Sequence, residues 1–158
     1  MLDDELRELY QDVILDHQQD PRNFGPMQHP THHAEGFNPL CGDRIRLELD
    51  MDGDRIRQVS FTGAGCAIST ASASMMTEAL TGKTRAEAEA VSQDFRDLVT
   101  GRLRDTEDGE TAETSRLGKL YVLAGVQQFP VRVKCATLAW HTLAAALNEE
   151  KPEPVTTE

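Results

Sequence analysis

Three cysteines and one aspartate are the residues of this chain whose types and spacing could do metal or sulfur chemistry. The cysteines are Cys41, Cys66 and Cys135, and Asp43 follows the first of them by two positions. Three thiolates and a carboxylate make four anionic ligands, the number that a tetrahedral zinc site takes. A thiolate is also the nucleophile of sulfur exchange, so the same residues could hold a metal or attack another sulfur.

The sequence around each cysteine predicts that all three lie at the ends of secondary-structure elements. Cys41 lies in a loop that leads into a strand, Cys66 on a strand-to-helix turn, and Cys135 where a connector becomes the last helix. A single cysteine is usually a small buried hydrophobic residue, but core packing explains three such positions poorly. A helix that begins at Cys66 or at Cys135 would stabilise its thiolate through the backbone N–H groups.

Thiolate ligands favour zinc, copper(I) or an iron–sulfur cluster over magnesium or calcium, and a carboxylate in the set favours zinc. Four anionic ligands around a dication leave a net charge of about −2, so positive groups nearby should help. Arg132 and Lys134 are the candidates. The histidines, including His32, His33 and His141, lack a regular spacing to the cysteines, and we expect none of them to be a ligand.

The first half of the chain predicts a helix followed by a hairpin. Apolar spacing indicates a helix over about residues 3–18, and residues 22–40 follow as an ordered loop or a short edge strand. Alternating apolar and polar residues on both sides of the Asp52-Gly53 turn predict an antiparallel hairpin with one buried face. Ile56 falls out of phase with the rest of its strand, which indicates a bulge.

The second half is predicted to be mostly helical. The expected segments are a helix after Cys66 that ends near Gly82, a helix that begins at the capping-box pair Thr84 and Glu87, a further short helix over Phe95–Leu103, a helix over Leu117–Val126, an extended connector over Phe129–Val131, and a last helix that opens at Cys135. Residues 105–114 are predicted to be a flexible acidic loop, and residues 149–158 a frayed or disordered tail.

Length and charge narrow the classes of protein. A chain of 158 residues with 39% hydrophobic residues suits one domain over 1–158, and no apolar stretch approaches the ~20 residues that a membrane helix needs. A net charge of −11 argues against nucleic acid and anionic membranes as partners. The acidic amino terminus and the odd number of cysteines argue against secretion and disulfides, so we expect a cytoplasmic protein.

Four segments resemble the SufU family, the zinc-dependent branch of the IscU-like (NifU N-terminal) superfamily of iron–sulfur cluster assembly proteins. They are Pro21–Gly25, Asn38–Asp43, Gly65–Met76 and Arg132–Trp140. The similarity runs from the first helix to the last and leaves out only the carboxyl tail. It implies an α+β fold in which a small three-stranded antiparallel sheet packs against helices, as in SufE and IscU.

The resemblance also implies a function. Zinc would be held by Cys41, Asp43, Cys66 and Cys135, and the chain would act as a sulfurtransferase. Cys41 would accept persulfide sulfur from a pyridoxal-phosphate-dependent cysteine desulfurase of the SufS type, assisted by Arg132, and the sulfur would pass to the SufBCD scaffold complex.

Two other functions fit the same ligands. One is an IscU-type scaffold on which a [2Fe–2S] cluster is assembled, and the other is a purely structural zinc module. The scaffold branch carries a histidine directly before its third cysteine, where this chain has Lys134, and it lacks the extra residues that this chain has between the second and third cysteine motifs. Both features favour sulfur transfer.

Overall fold

The structure is a computed structural model that describes residues 4–40, 42–101, 117–148 and 155–156. Its elements are α1 (Asp4–Gln19), β1 (His32–Asn38), β2 (Asp43–Asp52), β3 (Arg55–Ala64), α2 (Ala67–Leu80), α3 (Arg85–Val99), a 3-10 helix (Gly118–Gln128), α4 (Pro130–Leu147) and β4 (Val155–Thr156). The sheet order is β3-β2-β1-β4, with β1, β2 and β3 antiparallel. The predicted α+β fold with a three-stranded antiparallel sheet is therefore confirmed.

One face of the sheet packs against helices. Alternation along β2 buries Ile45, Leu47 and Leu49 on this face, where α2 and α4 contact the strands. The predicted bulge is confirmed, because the pairing of β2 with β3 shifts between Asp50 and Met51. The bulge restores Ile56 to the buried face, where it has no exposed surface.

The segment before the hairpin contains a short strand, which agrees with one of the two predicted alternatives except that this strand does not lie at the edge of the sheet. β1 occupies His32–Asn38, and β4 pairs in parallel with it at Gly36 and Phe37. The predicted frayed tail is thus wrong for Val155–Thr156, which form backbone pairs with β1. The other residues of 149–158, and the predicted acidic loop at 105–114, lie outside the described residues.

The Pro21–Gly25 segment fastens α1 to the rest of the fold. The backbone N–H of Arg22 donates to Ser74 Oγ at 2.8 Å, and Asn23 Nδ2 donates to Thr77 Oγ1 at 2.9 Å. Asn23 adopts a left-handed backbone with φ of 56°, a conformation that asparagine tolerates better than most residues. This segment therefore sets how α1 lies on α2.

The capping signals predict helix starts well. Cys66 is the N-cap of α2, and Thr84 and Glu87 form the reciprocal capping box of α3. The separate helix predicted over Phe95–Leu103 is wrong, because α3 continues without a break to Val99. Phe95 lies on its buried face and stacks on Trp140 with ring centroids 4.6 Å apart, so one long helix buries more aromatic surface.

The last helix starts earlier than predicted. α4 begins at Pro130, so the prediction of an extended connector is wrong for Pro130 and Val131. Proline suits the first position of a helix, because its fixed φ is helical and its missing N–H has no partner to lose there. Cys135 therefore lies in the second turn of α4 and does not open it. The segment predicted to be a helix over Leu117–Val126 is helical, but it forms a 3-10 helix over Gly118–Gln128.

No helix among residues 4–40, 42–101 and 117–148 combines the length and the hydropathy that crossing a bilayer requires.

Candidate metal centre

The end of the β1–β2 hairpin brings two polar side chains into the core. Asn38 and Asp43 are directly paired across the hairpin, so their side chains lie on the same face of the sheet. Neither has exposed surface. Cys41 falls in the connecting loop of residues 39–42 but lies outside the described residues. Its neighbours in the chain, Leu40 and Gly42, both hydrogen-bond back to Asn38.

Cys66 meets Asp43 at the turn from β3 into α2. The backbone N–H of Cys66 donates to Asp43 Oδ1 at 2.8 Å, and Cys66 Sγ accepts the N–H of Ser69 at 3.5 Å. A side chain at the N-cap that accepts from the third helical residue is the usual way to satisfy the first N–H groups of a helix.

A glycine lets the turn lie against the carboxylate. A Cβ on Gly65 would lie 2.8 Å from Asp43 Oδ1 and 3.1 Å from its Cγ. No side chain fits there unless Asp43 moves, so Gly65 is what allows β2 and the β3–α2 turn to approach so closely.

Cys135 reaches the same place from α4. Its side chain is buried, with 2% of its surface exposed, and Sγ lies 3.7 Å from Asn38 Nδ2, which donates to it. The helix dipole acts mainly over the first turn, so the predicted effect of the α4 N-terminus is weaker at Cys135 than at Cys66.

The described ligand atoms fit one metal ion. One carboxylate oxygen of Asp43 and the sulfurs of Cys66 and Cys135 all lie within 4.8 Å of one another, and Asp43 Oδ2 is 3.8 Å from Cys66 Sγ. Ligands of tetrahedral zinc are separated by about 3.5–3.8 Å when the usual zinc–sulfur and zinc–oxygen bond lengths hold. Since Oδ1 already accepts an N–H, Oδ2 is the oxygen that is available to a metal. Two sulfurs and one oxygen suit zinc better than magnesium or calcium.

An apolar cavity of about 500 Å³ opens beside the two sulfurs. Cys66 and Cys135 line it together with Arg132, and Phe129 and Val131 form its rim with about half of their surfaces exposed. Arg132 thus borders the same cavity as Cys66 and Cys135. Lys134, the other candidate cation, is half-buried on α4 and does not line this cavity.

The histidines lie elsewhere in the described part of the chain. His32 and His33 are on β1 at the end of the sheet far from Asp43, and His141 is on α4 beyond Cys135. Burial lowers the pKa of His141, and the nearby Arg96 adds to this effect. None of the three belongs to the group of ligand atoms around Asp43.

The residue that sequence reasoning missed is Asn38. It was part of a recognised motif but received no role. The available signal was its position, because a polar side chain on the buried face of a strand needs hydrogen-bond partners, and Asp43 faces it across a hairpin.

Comparison with known proteins gives consistent matches over nearly the whole chain. Residues 9–136 match the model of the NifU-like N-terminal domain. The zinc-dependent sulfurtransferase SufU of Bacillus subtilis (strain 168) is 42% identical over 143 residues, which cover 90% of this chain and 92% of that protein. The iron–sulfur cluster assembly scaffold protein IscU of Streptococcus pyogenes serotype M1 is 41% identical over 143 residues, which cover 90% and 85%.

A solved structure agrees with these matches. The crystal structure of a protein from Fervidobacterium islandicum AW-1, described as an iron–sulfur cluster assembly scaffold for the SUF system, superposes with a TM-score of 0.79 at 34% identity. The match covers 89% of this chain and 98% of that one. The resemblance to the IscU-like superfamily is therefore confirmed.

Proposed function

Because this chain belongs to the family of NifU-like N-terminal domains, we propose that it serves iron–sulfur cluster assembly as a zinc-dependent sulfurtransferase. The observation that carries the proposal is the meeting of Asp43, Cys66 and Cys135 at one point, with their ligand atoms within 4.8 Å. The similarity to a SufU sulfurtransferase over 90% of the chain supports the choice of reaction.

Cys41 is the proposed fourth ligand and the sulfur acceptor. It lies two residues before Asp43 in the sequence, and Asn38 and Asp43, which pair across the hairpin, bracket its loop at the centre. Cys66 is tied to Asp43 and to the start of α2, and Cys135 is buried on α4. These two cysteines are suited to remain in place while Cys41 moves. Bound zinc would keep the cysteines as thiolates at neutral pH.

The sulfur step is a thiol exchange. The Cys41 thiolate attacks the terminal sulfur of a cysteine persulfide on the partner enzyme, and a new sulfur–sulfur bond forms on Cys41. The bond between that sulfur and the partner's cysteine breaks, and the partner's cysteine leaves with the electron pair as a thiolate. Cys41 then carries the persulfide, with no external oxidant or reductant consumed.

Arg132 and the apolar cavity serve the incoming group. A persulfide is anionic near neutral pH, and the guanidinium of Arg132 on the cavity wall attracts it and offers several N–H donors. The exposed Phe129 and Val131 give a partner an apolar surface to cover, which excludes water from the reacting sulfurs.

The proposed partners are those that the resemblance to the SufU family implies. The donor would be a pyridoxal-phosphate-dependent cysteine desulfurase of the SufS type, and the receiver the SufBCD scaffold complex. The reaction needs reduced thiols, which suits a reducing compartment such as the cytoplasm.

Sulfur transfer can be tested by locating the added sulfur. Cys41→Ala should keep the fold but fail to raise the turnover of a desulfurase supplied with cysteine, and mass spectrometry should find no sulfur added to it. Cys66→Ala and Cys135→Ala should lose both zinc and activity, because they remove fixed ligands. The metal content of each sample is measured in parallel. A Cys41→Ala protein that increases alanine production as much as the unmodified protein would refute the acceptor role.

A second candidate is the [2Fe–2S] scaffold, which the 41% identity to a streptococcal IscU favours. The same three described side chains could hold a cluster. Protein purified without oxygen separates the two functions. Visible absorption with iron and sulfide would support the scaffold, whereas colourless protein with one zinc per chain would support sulfur transfer.

A further inference from the structure

Asn38 contacts both halves of the candidate centre. Its Nδ2 donates to Cys135 Sγ at 3.7 Å, and its Oδ1 accepts the backbone N–H of Leu40 at 3.2 Å. Its main-chain oxygen accepts the N–H of Gly42 at 2.8 Å. One residue with no exposed surface thus links a sulfur on α4 to the residues on either side of Cys41.

We propose that Asn38 is a positioning residue that holds Cys135 as a fixed ligand and ties Leu40 and Gly42 to it. The proposal rests on the proposed function, since it concerns how the same centre treats its cysteines differently.

The amide donor has an electrostatic effect on Cys135. An N–H that donates to a thiolate stabilises the charged form and withdraws electron density from the sulfur. Cys66 accepts a comparable N–H from Ser69 at the start of α2. Both sulfurs that are proposed to stay on the metal therefore receive a donor from the protein. Such donors also offset part of the excess negative charge of about −2 that four anionic ligands leave on a dication.

The acceptor side of the amide has a mechanical effect. With Oδ1 held by Leu40 and the main-chain oxygen held by Gly42, the path of the loop is set from the β1 end. The covalent neighbours of Cys41 are thereby tied to the residue that contacts Cys135.

Two substitutions remove the N–H that Asn38 donates to Cys135. Asn38→Asp keeps the shape of asparagine and an oxygen that can accept from Leu40, but it places a carboxylate oxygen against the sulfur in place of the donor. Asn38→Ala removes the donor and the acceptor together. Leu40→Ala is the matched control, because it changes an exposed side chain of the same loop, 59% exposed, and keeps the backbone N–H.

The measurement is zinc affinity by competition with a chelator, on protein purified as the full chain. Both Asn38 variants should bind zinc about 10- to 100-fold more weakly, as is usual when a residue that hydrogen-bonds a metal ligand is removed. Leu40→Ala should bind as the unmodified protein does. In cobalt-substituted protein, the sulfur-to-cobalt charge-transfer band should shift in both Asn38 variants, because the electron density on the Cys135 sulfur changes.

The outcomes distinguish this inference from the function on which it rests. Unmodified protein that binds no zinc would contradict the proposed function itself. Zinc affinity and a cobalt band that stay unchanged in both Asn38 variants would overturn the role of Asn38 and leave the proposed function standing. An equal loss of affinity in Leu40→Ala would also overturn it, because general disturbance of the loop would then explain the result.

Discussion

Replacing Gly65 with alanine tests whether Asp43 is held against the turn that carries Cys66. The new Cβ would lie 2.8 Å from Asp43 Oδ1, and Asp43 is completely buried, so the carboxylate has no open space in which to move. Its 2.8 Å hydrogen bond from the Cys66 N–H must lengthen or break. The backbone of Gly65 is not left-handed, so the effect is steric.

The size of the effect follows from three terms. An extra carbon forced into a packed interior costs about 1–3 kcal/mol. Losing a hydrogen bond to a charged group costs about 1.5–3 kcal/mol. Restricting the unfolded chain by replacing glycine returns about 0.4–1 kcal/mol. The free energy of unfolding should therefore fall by about 2–5 kcal/mol, and the melting temperature of a chain this size by on the order of 10 °C.

Gly125→Ala is the matched control. Gly125 lies in the 3-10 helix, and an added Cβ there meets no heavy atom within 4 Å. This variant reduces the conformational freedom of the unfolded chain as Gly65→Ala does, but it creates no clash in the folded state. Its melting temperature should therefore stay the same or rise slightly.

Thermal unfolding of both variants, without metal and with zinc, provides the assay, together with chelator competition. Gly65→Ala should melt lower in both states and bind zinc at least about 10-fold more weakly, because the position of a ligand has changed. If Gly65→Ala has the same melting temperature as Gly125→Ala and binds zinc like the unmodified protein, the contact between Asp43 and the turn is not what forms the centre.

Two further predictions concern metal and pH. Zinc at 1,000 times its dissociation constant adds about 4 kcal/mol to the free energy of unfolding, so removing it with a chelator should lower the melting temperature by roughly 8–16 °C. Adding zinc, but not magnesium, should restore the original melting temperature. An unchanged melting temperature after verified removal would argue against a metal that stabilises the fold. Burial lowers the pKa of His17 below its ordinary 6.5, and Arg22 adds to this effect while Glu78 opposes it. The contribution of His17 to the stability of the folded state is therefore fully present above pH 6.5 and is lost as the pH falls. Unfolding measured between about pH 5 and 6.5 should therefore depend less on pH in His17→Gln, by at most about 1.4 kcal/mol per pH unit, and equal slopes in the two proteins would contradict the prediction.

Helix and strand signals were most reliable where a side chain acts on its own backbone. The capping box at Thr84 and Glu87 and the N-cap at Cys66 involve atoms within a few residues, so their spacing in the sequence is sufficient. The bulge near Ile56 could also be predicted, because it breaks the two-residue alternation of apolar side chains within a single strand.

Predictions failed where packing between distant segments selects among local options. Pro130 is compatible with either an extended connector or a first helical turn, and only the docking of α4 on the sheet decides between them. Likewise, the stacking of Phe95 on Trp140 favours one continuous α3 over two shorter helices. The pairing of Val155–Thr156 with β1 depends on an open strand edge that the tail sequence does not reveal.

The sequence by itself determined the chemistry available to this protein: which side chains can bind a soft metal, that Cys66 starts a helix, and which family its motifs resemble. Only the tertiary structure decided that Asp43, Cys66 and Cys135 share one point, that Gly65 lets the carboxylate meet the turn, and that Asn38 reaches Cys135. The physical reason is the distance along the sequence over which each kind of interaction acts. Periodicity and capping act over a few residues, whereas the meeting of these side chains depends on strand register and on how α4 packs against the sheet, which involve contacts across the whole chain.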